Sequence, residues 1–260
     1  MPKVEKHAPG TFCWVELATT DQNSAKQFYS SLFGWTPEDN PMGPGEIYTI
    51  FKLNGGDAAA AYTMREQERS MAPTHWNLYI AVADADQTAK KAAELGAKVL
   101  MQPFDVMTFG RMAVIMDPTG AAFCIWQAKD NIGTSIGHEP GTLCWSDLYT
   151  GDVPRAKQFY EALFGWEIAL GENDKSGYLH IKNGGEFIGG IPPREMKGDS
   201  IPPNWNLYYL VTDCAASTEK AKSLGARIFE GPIELENVGK FSVVADPQGA
   251  VFSLFEPEAK

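Results

Sequence analysis

The sequence predicts an α+β fold built from four βαβββ units, two in each of two domains. Three observations predict it: an internal duplication, a strand–helix order that recurs within each half, and glycine-containing turns between short strands. The segment Gly10 to Trp35 returns at Gly141 to Trp166, shifted by 131 positions, with 16 of 26 residues identical. Agreement this dense indicates that the chain is a tandem repeat.

The repeated segment has the pattern of a strand followed by a helix. Residues 12–17 alternate and are rich in aromatic and β-branched side chains, which predicts a half-buried strand. Thr20 and Asp21 are candidate helix caps, and Gly34 and Gly165 end the two helices. The predicted apolar helix faces are Ala25, Phe28, Tyr29 and Leu32, then Ala156, Phe159, Tyr160 and Leu163.

The first half continues with short strands and a second helix. Asn54-Gly55-Gly56 is a hairpin signal, and residues 64–73 are interpreted as a polar connection. A second helix begins at Asp84 or Asp86 and ends at Gly96, and the sequence 117–120 predicts a tight turn. The further strands predicted here are 47–53, 58–63, 76–82, 98–101, 111–116 and 121–127.

The second half repeats this series, with the offset changing to 129 at the hairpin. It predicts strands at 205–211, 240–245 and 251–255 and a helix at 213–224. We therefore predict domains at 1–132 and 133–260, joined by a linker at roughly 128–140.

The charge of the chain indicates which classes of partner it does not bind. The net charge is −11, and both halves are acidic, with 11 basic against 15 acidic groups in residues 1–130 and 11 against 18 in 131–260. Acidic halves without a basic run argue against nucleic acid and anionic membranes as partners. The four cysteines form no CxxC pair or disulfide framework, and no long apolar segment is present, so we predict a reduced, cytoplasmic protein. We also predict that the protein is a monomer or homodimer.

The motifs resemble the vicinal oxygen chelate superfamily, which includes glyoxalase I, extradiol dioxygenases and bleomycin-binding proteins. The resemblance rests on Asp21, Phe28-Tyr29, Phe33-Gly34-Trp35 and the Asp117-Pro118-Thr119-Gly120 turn, each with a counterpart in the second half. It implies two glyoxalase-like cupped barrels, one per pair of units. Each barrel closes either within its domain or by exchange of units between domains.

The resemblance also implies a divalent metal in each cup, held by His, Glu, His and Glu. The usual positions hold other residues in this chain: Trp14 and Trp145 on the first strand, Asn77 and Asn206 on the fifth, Cys124 and Ser253 on the eighth, and no acid within 58–61 or 187–190. Indole, amide and hydroxyl groups cannot replace these ligands. We therefore predict no metal and no cofactor in the usual position.

Strand alternation then predicts what lines each cup. The first set is Trp14, Glu16, Asn77, Tyr79, Cys124 and Trp126, with Arg111 at the rim; the second is Trp145, Asp147, Asn206, Tyr208, Ser253 and Phe255, with Lys240 at the rim.

Three functions remain open. In the first, the cup binds a small organic molecule without a metal, through stacking and a carboxylate. In the second, Glu16 or Asp147 is the general base, or an unconventional metal ligand, of a lyase, isomerase or dioxygenase. In the third, the aromatic side chains fill an inert barrel, the acid pairs with the nearby base, and the protein is a scaffold.

Overall fold

The computed structural model describes residues 4–171, 175–193 and 201–258. The first domain contains β1 (Phe12–Thr19), α1 (Gln22–Phe33), β2 (Thr36–Gly43), β3 (Glu46–Leu53), β4 (Gly56–Thr63), α2 (Glu66–Met71), β5 (His75–Ala81), α3 (Ala85–Glu94), β6 (Lys98–Val106), β7 (Gly110–Met116) and β8 (Ala122–Ala128). The second contains β9 (Leu143–Tyr149), α4 (Val153–Phe164), β10 (Glu167–Leu170), β11 (Leu179–Asn183), β12 (Glu186–Ile191), β13 (Asn204–Leu210), α5 (Cys214–Ser223), β14 (Arg227–Leu235), β15 (Gly239–Ala245) and β16 (Val251–Pro257).

The two duplicated helices begin and end as the sequence predicts. Asp21 caps α1 by accepting a hydrogen bond from the Ser24 amide, and Asp152 caps α4 in the same way. Of the two candidates, Asp21 rather than Thr20 is the cap. Gly34 and Gly165 close the helices with φ of 75° and 74°, a left-handed conformation that glycine adopts without a steric penalty.

Each domain contains one eight-stranded mixed sheet, which confirms the predicted α+β fold of paired βαβββ units. The strand order is β2-β3-β4-β1-β5-β8-β7-β6 in the first domain, and the second sheet has the equivalent order. The first strands of the two units, β1 and β5, pair antiparallel, with Glu16 opposite Asn77. This pairing joins units of the same domain, so each barrel is assembled within its own domain.

One face of each sheet is buried against the helices in a core that both domains share. Tyr29 on α1 donates a hydrogen bond to Asp246 in the second domain at 3.0 Å, and Tyr160 on α4 donates one to Asp117 in the first at 2.9 Å. These aspartates open the two DPxG turns, so the turn of each domain is tied to the repeated helix of the other. The same tyrosines pack against rings of the other domain, Tyr29 against Phe252 and Tyr160 against Phe123, each with centroids 5.7 Å apart, which makes the interface aromatic as well as polar.

Strand β2, with its second-domain counterpart β10, and helix α2 differ from the sequence prediction. Strand β2 escapes prediction because it is an exposed edge strand with two prolines and no apolar alternation. Helix α2 lies within 64–73, the predicted polar connection, and it has no buried residue in the structure. Patterns that depend on burial cannot detect either element. Among the described residues, no helix is long and apolar enough to cross a membrane.

Candidate functional site

The sheet face opposite the helices carries a second, separate cluster in the first domain. Trp14 on β1, Tyr79 on β5, and Cys124 and Trp126 on β8 pack together there, each at most 9% exposed. We call this cluster the first cup. The three strands are neighbours in the sheet, so their inward side chains converge, and the structure brings these four predicted residues together.

Glu16 lies in the first cup as a partly buried carboxylate that two phenols hold. Tyr48 donates to Oε2 at 2.7 Å, and Tyr79 donates to Oε1 at 2.9 Å. The indole N–H of Trp14 in turn donates to the Tyr48 hydroxyl at 3.0 Å. Burial raises the pKa of Glu16 above its usual value, and the two phenol hydrogen bonds oppose that rise.

The second domain repeats this arrangement around Asp147, and we call it the second cup. Tyr178 donates to Oδ1 at 2.5 Å and Tyr208 donates to Oδ2 at 2.9 Å. The Trp145 indole N–H lies 3.0 Å from Oδ1 and 2.8 Å from the Tyr178 hydroxyl. Asp147 is 4% exposed, and burial raises its pKa against the effect of these three donors.

Sequence reasoning missed one tyrosine in each cup, Tyr48 on β3 and Tyr178 just before β11. The sequence alignment of the two halves pairs Asn54 with Asn183, and this leaves the two tyrosines one residue out of register. In the structure the two-residue hairpin turns are Asn54-Gly55 and Gly184-Gly185. An offset of 130 through this hairpin makes the two tyrosines equivalent. Aligning the hairpins on their paired turn residues is the sequence signal that identifies them.

Other residues predicted to line the second cup contact one another or their neighbours in the sheet. The Asn206 amide donates to the Ser253 hydroxyl at 2.8 Å, and both side chains are buried. Phe255 is partly buried and pairs in register with Phe241, which packs against Tyr208 with ring centroids 6.3 Å apart. In the first cup, Asn77 is the register partner of Glu16.

The predicted rim residues lie away from the carboxylates. Arg111 forms a bidentate pair with Asp86 on α3, at 2.6 and 2.8 Å, and a further contact with Asp105. Lys240 lies opposite Glu234 and Glu256 in the sheet register. The inert-barrel interpretation pairs the acid of the cup with the nearby basic group. Among the described residues, Arg111 does not bond to Glu16, which phenol hydroxyls hold instead.

A β-bulge brings a second cysteine, Cys13, to the first cup beside Cys124. The pairing of β1 with β5 shifts between Phe12 and Trp14, so Cys13 packs with the cup cluster and donates toward the Tyr79 carbonyl, whereas simple alternation predicts it on the helix side. Cys124 is 2% exposed, and burial raises the pKa of its thiol, which keeps it in the protonated, weakly nucleophilic form.

The residues at the family's metal-ligand positions do not fit a divalent metal. The Trp14 indole is a hydrogen-bond donor, and the lone pairs of Glu16 that face the cup accept phenol hydrogens. Across the described parts of the chain, no three His, Cys, Asp or Glu side chains come together as a ligand group. The groups at these positions are bonded to one another, and they are not the converging imidazole, thiolate and carboxylate groups that Zn²⁺ or Fe²⁺ requires.

Comparison with known proteins identifies the family. The sequence model of the Glyoxalase/Bleomycin resistance protein/Dioxygenase superfamily matches residues 11–125 and 142–254. The chain belongs to this superfamily. It is 42% identical to "Putative glyoxylase CFP32" of Mycobacterium tuberculosis over 263 residues, which cover 99% of this chain and 98% of that protein. It is 32% identical to the anthracycline biosynthesis protein DnrV of Streptomyces peucetius, covering 96% and 94% of the two chains.

Solved structures of this superfamily share the fold. The Mn(II)-bound glyoxalase from Novosphingobium aromaticivorans superimposes with a TM-score of 0.66 at 17% identity, covering 96% of this chain and 83% of that chain. The 2,3-dioxygenase LapB from Pseudomonas sp. KL28 gives a TM-score of 0.66 at 12% identity, covering 97% and 94%. At these identities the similarity establishes the fold with its paired cups. The chemistry of the cups must be inferred from the residues that line them.

Proposed function

We propose that this protein binds a small organic molecule, without a transition metal, in the aromatic and carboxylate cup of its first domain. The second cup is a parallel copy. The observation that carries the proposal is the repeated set of a tryptophan, two tyrosines and a carboxylate, which recurs around Glu16 and Asp147. A barrel that only packs has no need of a buried acid, because its desolvation costs several kcal/mol unless hydrogen bonds compensate.

The chemistry of the cup favours a flat, weakly polar ligand. Trp14, Tyr79 and Trp126 line the cup with aromatic rings, and Glu16 supplies a carboxyl group whose pKa burial raises. A protonated carboxyl donates one hydrogen bond, and an ionised one attracts a donor or a cation, so the group can select a polar substituent. The relative named for anthracycline biosynthesis supports an organic molecule as the ligand class.

A catalytic role is the second candidate, and the raised pKa values favour it. Carboxyl groups whose pKa moves toward neutrality are suited to proton transfer, as a lyase or isomerase requires. In that case Glu16 or Asp147 is the general base, and the neighbouring tyrosines position it. An inert scaffold is the third candidate, and the deep burial of Trp14 and Cys124 is its main support.

Ligand-induced stabilisation separates these candidates. The purified protein is screened by thermal unfolding against a library of planar organic compounds. At a ligand concentration about 100-fold above the dissociation constant, one occupied site adds about 2.7 kcal/mol to the free energy of unfolding. We expect at least one compound to raise the melting temperature of the wild type and of Glu5→Gln, which alters an exposed glutamate. The same compound is expected to have no effect on Glu16→Gln or Trp14→Ala.

The variants also control for folding. Glu16→Gln keeps the shape of the side chain, so its unliganded form should unfold in a single cooperative transition. A library without a stabilising compound, together with severe destabilisation of both variants, would support the inert scaffold. Turnover of a bound compound that Glu16→Gln eliminates would support the enzyme.

A further inference from the structure

The two cups differ at a position that places an imidazole in the second cup. With the hairpins aligned through their turns, His180 on β11 is equivalent to Ile50 on β3. Ile50 packs against the first cup as an ordinary aliphatic side chain. An imidazole in its place gives the second cup a polar group that the first cup lacks.

His180 lies among aromatic rings. Its ring centroid is 5.1 Å from Tyr178, 5.3 Å from Phe187 and 6.5 Å from Trp145, all in edge-to-face geometry. Its Nδ1 atom is buried and has no hydrogen-bond partner among the described residues. A buried polar atom without a partner is destabilising and rare in native structures, so this one requires an explanation.

The other polar groups of the second cup are already satisfied. Asp147 accepts hydrogen bonds on both oxygens, and Tyr178 both donates to it and accepts from Trp145. Asn206 is bonded to Ser253. The Tyr149 hydroxyl lies beside Tyr208 and Asp147 in the same cup, so the Nδ1 atom of His180 is one polar group there that has no partner among the described residues and is available to a bound molecule.

The second cup is also more open than the first. Trp145 is partly exposed, whereas its counterpart Trp14 is 6% exposed. Phe187, which packs against His180, is 54% exposed. Gly190 takes the place of Ala60 beside the carboxylate, and the Tyr178 ring fills the space that a methyl group there would need. The Nζ atom of Lys182 lies over the Phe187 ring, 4.7 Å from its centroid, so a flat molecule can approach beside His180 only along the parts of the Trp145 and Phe187 rings that remain exposed.

We propose that the second cup is a separate binding site for a planar aromatic molecule with one hydrogen-bonding substituent, which the His180 imidazole recognises. The exposed parts of the Trp145 and Phe187 rings supply apolar contact surface, and the imidazole supplies a directional contact. This site goes beyond the proposed function, because it requires no ligand in the first cup and its specificity residue has no counterpart there.

The experiment compares two probes that differ in one hydroxyl, 2-naphthol and naphthalene. Their affinities are measured by calorimetry on the full-length protein, while the imidazole resonances of ¹⁵N-histidine-labelled protein are followed by NMR. We expect 2-naphthol to bind about fivefold more tightly than naphthalene, as one hydrogen bond of about 1 kcal/mol implies. The resonance of His180 should shift on binding.

Three variants decide the assignment. His180→Ile, which installs the first-cup residue, should remove the preference for 2-naphthol and leave the affinity for naphthalene unchanged. It should also melt at the same or a higher temperature without ligand, because it removes an unpartnered buried atom. His138→Asn, which removes an exposed imidazole at a left-handed backbone position, should keep the preference.

The third variant separates this site from the first cup. If Trp14→Ala weakens 2-naphthol binding and His180→Ile does not, the ligand lies in the first cup, which overturns this inference and supports the proposed function. Equal binding of both probes, or no binding of either, also overturns it. Loss of the preference in His180→Ile alone supports it.

Discussion

Removing the Tyr48 hydroxyl tests whether hydrogen bonds hold the carboxylate of the first cup. Tyr48→Phe deletes the 2.7 Å bond to Glu16 and the acceptor for the Trp14 indole at 3.0 Å. Loss of a hydrogen bond to a charged group costs about 1.5–3 kcal/mol, and a buried donor left without a partner costs about 1–3 kcal/mol more. We expect a total loss of about 2.5–6 kcal/mol in the free energy of unfolding.

The second domain supplies the matched control. In Tyr178→Phe the carboxylate also loses a phenol, but the Trp145 indole keeps Asp147 as an acceptor at 3.0 Å. Only the first of the two costs then applies, so we expect a loss of about 1.5–3 kcal/mol. The first variant should therefore be the less stable of the two by about 1–3 kcal/mol.

The assay is urea denaturation at pH 7, followed by tryptophan fluorescence and circular dichroism, with the slope of the transition checked for two-state behaviour. A cycle with Glu16→Gln isolates the coupling between Glu16 and Tyr48. Equal losses in the two tyrosine variants would refute the reasoning about the orphaned Trp14 indole. A coupling energy near zero would refute the hydrogen-bonded carboxylate itself.

Three further predictions follow from the same geometry. The pKa of Asp147 is raised above its usual value near 3.8, so its contribution to stability is full below that value and is lost as pH rises through the folded pKa. In urea titrations from about pH 4 upwards, Asp147→Asn should therefore gain stability relative to wild type as the pH rises from the unfolded pKa to the folded one, by about 1.4 kcal/mol for each pH unit between them, and a flat difference would contradict the raised pKa. Gly110→Ala places a methyl group inside the Trp126 ring and should cost about 1–3 kcal/mol or more, whereas Gly137→Ala meets no atom within 4 Å and should be neutral in the same assay. Elemental analysis of tag-free protein should find far less than one Zn, Fe, Mn or Ni per domain, because the described parts of the cups lack a ligand group, and a stoichiometric metal would show that Glu16 or Asp147 has been recruited.

Local chemistry determined much of the fold. The duplicated helices followed from their caps, their apolar faces and their terminal glycines, all of which are short-range features. Strand alternation placed Trp14, Tyr79, Cys124 and Trp126 on one face, because side chains on a strand alternate whatever its partners are. The edge strand β2 and the exposed helix α2 were missed, since neither buries the apolar pattern that sequence analysis detects.

The candidate site required more than alternation. Whether a side chain reaches a carboxylate depends on strand pairing and on bulges, which local sequence does not specify. The pairing decided that Tyr48 and Tyr178 hold Glu16 and Asp147, and the bulge decided that Cys13 turns into the cup. It also placed Arg111 on Asp86 of α3 rather than on Glu16.

The sequence by itself therefore determined the repeated βαβββ units, the absence of the usual metal ligands, and most inward positions of the cups. Only the tertiary structure decided that each barrel closes within its own domain, because the antiparallel pairing of β1 with β5 is a long-range contact. It also decided that phenols rather than a basic group surround each acid. The free energy of a buried carboxyl depends on the donors that converge on it from distant strands, and only the folded chain brings those donors together.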